Sequence, residues 1–165
     1  MEKFILFIAI AVIIVSSKTF AQEQVKALAN QRTLLQSHDS KLAKNKKLVY
    51  DFWREVVEGN HLELANKYLN NNFISHSIYA PSGIKAFVDS ALKLDIQPGV
   101  IIDSIRTEVV SIVAENDLVI LSFVQMAPDT SNKFLYDSWY STTAFKMFRI
   151  EDGKIAEYWD TATKQ

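Results

Sequence analysis

The hydrophobic period of this chain changes once, near Pro98-Gly99, and that change limits the folds open to it. From Lys47, apolar residues recur at helical spacing. Leu48, Val49, Phe52, Trp53, Val56 and Val57 form one stripe, which Gly59-Asn60 ends in the manner of a left-handed cap. Leu62, Ala65 and Leu69 mark a second, short helix over His61 to Leu69, closed by the turn formers Asn70 to Asn72. A third helix is predicted after Pro81-Ser82-Gly83, capped by Ser82, with Ile84, Phe87, Val88, Ala91 and Leu92 on its apolar face. Beyond residue 99 the period is two. Ile101 to Val113 alternates, Glu115-Asn116-Asp117 turns the chain, and Leu118 to Met126 returns as its partner. Residues 127 to 133 read as a loop, and Trp139 to Ile150 with Lys154 to Thr161 read as a closing hairpin. Helices followed by a long antiparallel meander is the α+β order. To bury both apolar sets, the strongly curved antiparallel sheet has to wrap about three N-terminal helices. Such a curled sheet, with helices across its concave face, leaves a funnel, the natural place for a ligand.

A chain of 165 residues with 48% hydrophobic side chains has the mass for a single core. Its first 21 residues stand apart. Met1-Glu2-Lys3 precedes an uncharged run from Phe4 to Val15, and Thr19 and Ala21 supply the small residues of a cleavage site. That run is shorter than the roughly 20 residues a spanning helix needs. The reading is a signal peptide over 1–21, export to the periplasm or the exterior, and no membrane span after cleavage. Residues 22–44 read as a polar tether or an extra helix, and 45–163 as the domain. Of 18 basic and 19 acidic residues, Lys3, Lys18 and Glu2 fall in the leader, so the remainder is slightly acidic and offers no basic face for nucleic acid. There is no cysteine, which excludes a lipidated cysteine, a disulfide and a thiol nucleophile.

The closing segment FRIEDGKIAEYWD, residues 148 to 160, places an acid directly behind an aromatic pair. Its turn closes in two ways. With Asp152-Gly153 as a two-residue loop, Glu151 pairs with Lys154, Lys146 lies opposite Trp159, and Asp160 points to the other face. With Glu151-Asp152-Gly153 as a three-residue loop, Ile150 pairs with Lys154 and Lys146 faces Tyr158. Lys146 and Asp160 are then diagonal neighbours on one side. The second is favoured, because glycine suits the left-handed position and Glu-Asp the two before it. Charges turned into the funnel form a desolvated ion pair, whereas at the rim Asp160 is solvated and Lys146 snorkels outward.

The segments NKKLVYDFWREVVEGNHLELANKYLNNNFISHSIYAPSG, VVSIVAENDLVILSF and AFKMFRIEDGKIAEYWD resemble successive signatures of the SnoaL-like proteins, polyketide cyclase relatives within the nuclear transport factor 2-like superfamily. The resemblance covers roughly residues 45 to 163. It implies a cone of about three helices and a bent antiparallel sheet. It also implies an acid/base carboxylate on the closing strand, at Asp160, that drives an aldol-type ring closure without metal or cofactor. The histidine that follows the second helix in such proteins corresponds to His76. Two positions depart from the pattern. Lys146 stands where Asp or His is common, and Tyr158 where His is common. An ammonium at 146 keeps Asp160 ionised and equally supplies a cation to polarise a carbonyl.

The candidate catalytic residues are therefore Asp160, His76 and Lys146. The candidate ligand contacts are Trp53, Tyr79, Phe123, Trp139, Phe145 and Tyr158, with Phe52 and Phe148 as further aromatics of core or pocket and Gln125 and Tyr140 as weaker polar ones. His38, His61 and His76 lack zinc-ligand spacing, and there is neither a Gly-x-Ser-x-Gly elbow nor a glycine-rich phosphate loop. The expectation is an exported enzyme without cofactor or metal, of cyclase, lyase or isomerase type, acting on a small hydrophobic carbonyl compound. The alternatives are a non-catalytic ligand-binding module and a partner-binding domain or homodimer that uses the outer sheet face.

Overall fold

The structure is a computed structural model. It describes residues 26–93, 108–128 and 139–160, without the side chains of 125–128 and 139–141. Residues 1–25, 94–107, 129–138 and 161–165 lie outside the described residues, and with them the expected signal peptide.

The first helix begins earlier than the apolar stripe announces. Asp39 caps it, its carboxylate accepting from the Lys41 amide at 2.7 Å and the Leu42 amide at 3.4 Å, and α1 runs Ser40–Phe52. It does not stop at Phe52. A wider π-type turn continues over Trp53–Glu58, with the Gly59 amide bonded to the Arg54 carbonyl and the His61 amide to the Glu55 carbonyl. The left-handed residue that ends it is Asn60 (φ 52°), not Gly59. Gly59 is required for another reason, since a Cβ there would lie 2.8 Å from the Glu55 carbonyl oxygen and 3.0 Å from that of Arg54. The polar segment before α1 is docked on the domain. It makes a 3₁₀ turn over Gln31–Leu35, Leu34 and Leu35 pack on the core, and Gln31 accepts from the Tyr50 hydroxyl at 3.0 Å.

The second helix is a short 3₁₀ turn, Leu62–Leu64, running into α2, Ala65–Tyr68. The expected turn at Asn70 to Asn72 is instead part of strand β1, Leu69–Ser75. Turn chemistry survives locally. The Asn72 amide donates to the Asn70 side chain at 3.0 Å, and pairing with the neighbouring strand breaks register between Leu69 and Ile74. Helix α3, Ile84–Leu92, starts after Gly83 (φ 84°) without a side-chain cap. Ser82 does not cap it. Its hydroxyl accepts from the Ser75 amide at 2.9 Å and donates to the Ser75 carbonyl at 3.3 Å, fastening the helix entry to the end of β1.

The meander is present as β2 (Glu108–Glu115), β3 (Leu118–Pro128), β4 (Trp139–Glu151) and β5 (Lys154–Asp160). The sheet order is β1-β5-β4-β3-β2. The four later strands are antiparallel, but β1 joins β5 in parallel, so the sheet is mixed and not purely antiparallel as the period alone implied. Cross-strand rows separate two faces. Val119–Phe148–Tyr158–Ser75, Leu121–Lys146–Asp160 and Phe123–Ala144 face the helices, whereas Leu118–Arg149–Glu157–Ile74, Ile120–Met147–Trp159 and Ser122–Phe145 face away. Phe52 of α1 meets Phe148 edge-on at a centroid distance of 6.2 Å, Trp53 lies over Phe123 at 5.0 Å, and Phe87 of α3 meets Phe52 at 6.2 Å. The helices thus close the inner face of the sheet, in an α+β cone.

Replacing Gly59 with alanine forces backbone atoms apart at the end of the π-type turn. Gly59→Ala is expected to lose about 1–3 kcal/mol of unfolding free energy in urea titration. An alanine at exposed Val113 is expected to change it by less than about 0.5 kcal/mol.

Candidate functional site

The turn of the closing hairpin decides the site. Glu151 pairs with Lys154, and Asp152 (φ 51°) and Gly153 (φ 72°) form a two-residue turn, the loop the sequence reading ranked second. Left to itself that loop puts Lys146 opposite Trp159. A β-bulge corrects it. Arg149 pairs with Glu157 and Ile150 with Ile155, so Ala156 is one residue extra in β5 and everything beyond it moves by one. Lys146 now lies directly opposite Asp160, not diagonal to it, and Tyr158 lies opposite Phe148 rather than Lys146. The two charges share the inner face, as the favoured register had it, but through different pairing.

Asp160 is the most enclosed charged group there, its side chain 2% exposed against 16% for Lys146. Lys146 Nζ is 3.5 Å from Asp160 Oδ2. The fully buried Ser77 donates a short hydrogen bond to the same oxygen, and the Tyr158 hydroxyl donates to it at 3.4 Å. Ser77 is held in turn by accepting from the Tyr79 amide at 3.0 Å and by donating its own amide to Ser75 Oγ at 3.2 Å. Reasoning from sequence missed Ser77. Nothing short of knowing that β1 runs beside β5 connects positions 77 and 160. Burial pushes the Tyr158 hydroxyl well above the ordinary phenol range, and the Asp160 charge and hydrogen bond push it the same way. Burial also lowers the Lys146 ammonium below the ordinary lysine range, with Asp160 opposing but not overcoming it.

Beside this cluster lies a cavity of about 260 Å³, walled by Phe52, Trp53, Val56, Val57, Phe73, Phe87 and Tyr158, with Asn60 and Ser90 as further polar groups and Tyr79 at its mouth, 77% exposed. Tyr158 is the element common to both. It walls the cavity and its hydroxyl reaches Asp160. Neither Asp160 nor Lys146 is among the cavity's lining residues; both stand one step along the inner face from Tyr158.

The other candidates separate. Trp53, Tyr79 and Tyr158 line the cavity, Phe123 is buried in the core under Trp53, and Phe145 is 51% exposed on the outer face, away from the cavity. The side chains of Trp139, Gln125 and Tyr140 lie outside the described residues. His76 is turned outward. Its Nε2 is 2.8 Å from Glu157 Oε2 and its ring stacks on Trp159 at 4.6 Å, while Glu157 also accepts from Arg149 Nε at 2.7 Å. The cause is the strand alternation. Ser75 and Ser77 take the inner side, so His76 between them takes the outer one.

The sequence matches no family model and no curated protein. Solved structures do match. A proposed polyketide cyclase from Acidithiobacillus ferrooxidans superposes with a TM-score of 0.52 at 14% identity, over 76% of this chain and 89% of that one. A SnoaL-like polyketide cyclase from Agrobacterium tumefaciens gives 0.50 at 10% identity, over 71% and 89%. An LEH-like epoxide hydrolase from M. tuberculosis gives 0.51 at 11%, over 71% and 80%. This chain has the SnoaL-like cone, the nuclear transport factor 2-like fold. At these identities the likeness is one of fold. Within the cone, the inner sheet face carries the Ser77–Asp160–Lys146 cluster and the outer face carries the Arg149–Glu157–His76 chain.

Two outcomes follow from these networks. Ser77→Ala removes a donor from a buried carboxylate and is expected to cost about 1–3 kcal/mol in urea unfolding at pH 7. The hydrogen bond from His76, then that from Arg149, holds the Glu157 carboxyl below its ordinary range. The unfolded chain therefore binds more protons than the folded one as acid is added. Its contribution is complete above the ordinary carboxylate pKa and is lost as pH falls through the lowered folded value. His76→Ala should shrink that acid-limb loss, measured as unfolding free energy against pH from 7 to 3.

Proposed function

We propose that this protein is a cofactor-independent acid/base enzyme whose substrate is a small, mainly apolar carbonyl compound. The observation that carries the reading is the junction at Tyr158, where an apolar cavity meets a buried carboxylate backed by a lysine and a serine. Apolar walls hold the hydrophobic body of the ligand, and the Tyr158 hydroxyl, kept protonated, is a donor for a carbonyl oxygen. Asp160 then takes a proton from the adjoining carbon and returns it after rearrangement, and Lys146 balances the charge that develops. The polyketide cyclases and the epoxide hydrolase among the similar structures support a small organic substrate.

A second reading is favoured by one feature. Asp160 faces the donors of Ser77, Tyr158 and Lys146 together, an arrangement that also suits a locked carboxylate in a ligand-binding module without turnover. Residues 1–21 support export by their tripartite pattern, and amino-terminal sequencing of the secreted protein tests it by finding Gln22 first. On the outer sheet face Val113, Ile120 and Phe145 are exposed at neighbouring positions, which supports pairing of two copies there.

The deciding experiment incubates the protein and its Asp160→Asn variant with an extract of the source cells and identifies retained and altered molecules by mass spectrometry. Conversion by the wild type with retention alone by the variant is the expected result. The same compound retained unchanged by both establishes the binding reading instead.

A further inference from the structure

Lys146 is placed unlike an ordinary structural lysine. Its side chain is 84% enclosed, yet among the described residues it has one ionic partner, Asp160 at 3.5 Å, and one ring contact, Tyr158 with its centroid 5.8 Å from Nζ. An ammonium carries three N–H donors, so a single distant carboxylate leaves most of its hydrogen-bonding capacity unspent. Its cross-strand neighbour on the other side is Leu121, and Ala144 and Phe148 flank it along β4, all three of them buried. Such surroundings favour the neutral amine, the form that is a nucleophile. The ring that Nζ approaches is the one that walls the cavity.

We propose that Lys146 is a covalent amine catalyst that forms an imine with an aldehyde or ketone held against Tyr158, with Asp160 moving the protons. This rests on the reading of the cavity as a carbonyl-compound site and names the electron sink for it. Lys146 first passes one proton to Asp160. The free amine adds through its lone pair to the carbonyl carbon, and the oxygen gains a proton from the nitrogen, giving a carbinolamine. Protonated Asp160 then returns its proton to that hydroxyl, which leaves as water as the nitrogen lone pair forms the C=N bond. The net change is ammonium plus carbonyl to iminium plus water, with Asp160 again a carboxylate. From there Asp160 removes the proton from the adjoining carbon, and the C–H electrons pass into the iminium as an enamine. Addition of water reverses the sequence and frees the lysine. The Tyr158 hydroxyl, which stays protonated, is the donor for the carbinolamine oxygen.

The test is reductive trapping. The purified protein is incubated with 3-phenylpropanal and sodium cyanoborohydride at pH 7, and labelled peptides are quantified by mass spectrometry over time. Lys146 is expected to label faster than Lys85, which is 87% exposed and serves as the internal reference. Labelling of Lys146 no faster than Lys85 in the folded wild type overturns the proposal. Because trapping needs no turnover, conversion of an extract compound that depends on Asp160 without preferential trapping of Lys146 leaves the acid/base reading standing and removes the imine.

Discussion

One extra residue in β5 decides which side chains this cone presents to its interior. The Asp152-Gly153 turn is of the two-residue kind, and in an unbroken ladder it would set Glu157 opposite buried Phe148 and Trp159 opposite Lys146. Tyr158 and Asp160 would then lie on the outer face. The bulge at Ala156 exchanges the two sets. The packing around it shows why the exchange is stable. Ile155 and Ala156 are both buried, so two successive apolar residues are accommodated inside. Glu157 moves outward to Arg149 and His76, where its charge is compensated in a wetter setting.

Much of the fold was legible because it depends on period. The helical stripe of Phe52, Trp53 and Val56, the turn at Asn116-Asp117 and the closing hairpin are local patterns, and each formed near its expected place. What could not be read depends on a partner distant in sequence. Asn70 to Asn72 carry turn chemistry and retain it, yet they sit in a strand because β5 is available beside them in parallel. Ser82 has the composition of a helix cap and instead fastens β1. The bulge did leave a trace in the sequence, since Ile155-Ala156 interrupts the alternation that Glu157, Tyr158, Trp159 and Asp160 then resume. Shared burial of Lys146 and Asp160 was reached by a register that differs from the real one by two positions, a coincidence of parity. His76 was expected after the second helix as a pocket group, and it is turned outward instead. The side on which it emerges follows from the burial of Ser75 and Ser77 around it.

The site shows a division between the two faces that electrostatics explains. On the outer face Arg149, Glu157 and His76 lie in a row, each contact is 2.8 Å or shorter, and all three side chains are partly exposed, so the arrangement is inexpensive and replaceable. On the inner face, Asp160 and Lys146 are withdrawn from water at a separation of 3.5 Å, and Ser77 and Tyr158 supply hydrogen bonds that a lysine alone does not. A pair of this kind contributes little net stability, because the desolvation of both charges offsets their attraction. The lowered Lys146 ammonium records that imbalance, since burial acts on it more strongly than its counter-ion does.

A buried pair that contributes little to the stability of the fold raises the question of what else depends on it. Register is one such dependence, but here the bulge and the burial of Phe148 and Ile155 already fix register without any charge. Solubility is not another, because both groups are hidden. What the pair does supply is an amine and a carboxylate enclosed side by side, next to a residue that walls an apolar cavity and whose hydroxyl stays protonated. Such a place suits a ligand that exchanges a proton, and equally a polar group held in a fixed position. The cone supplies what either use requires of its surroundings, low dielectric and fixed partners.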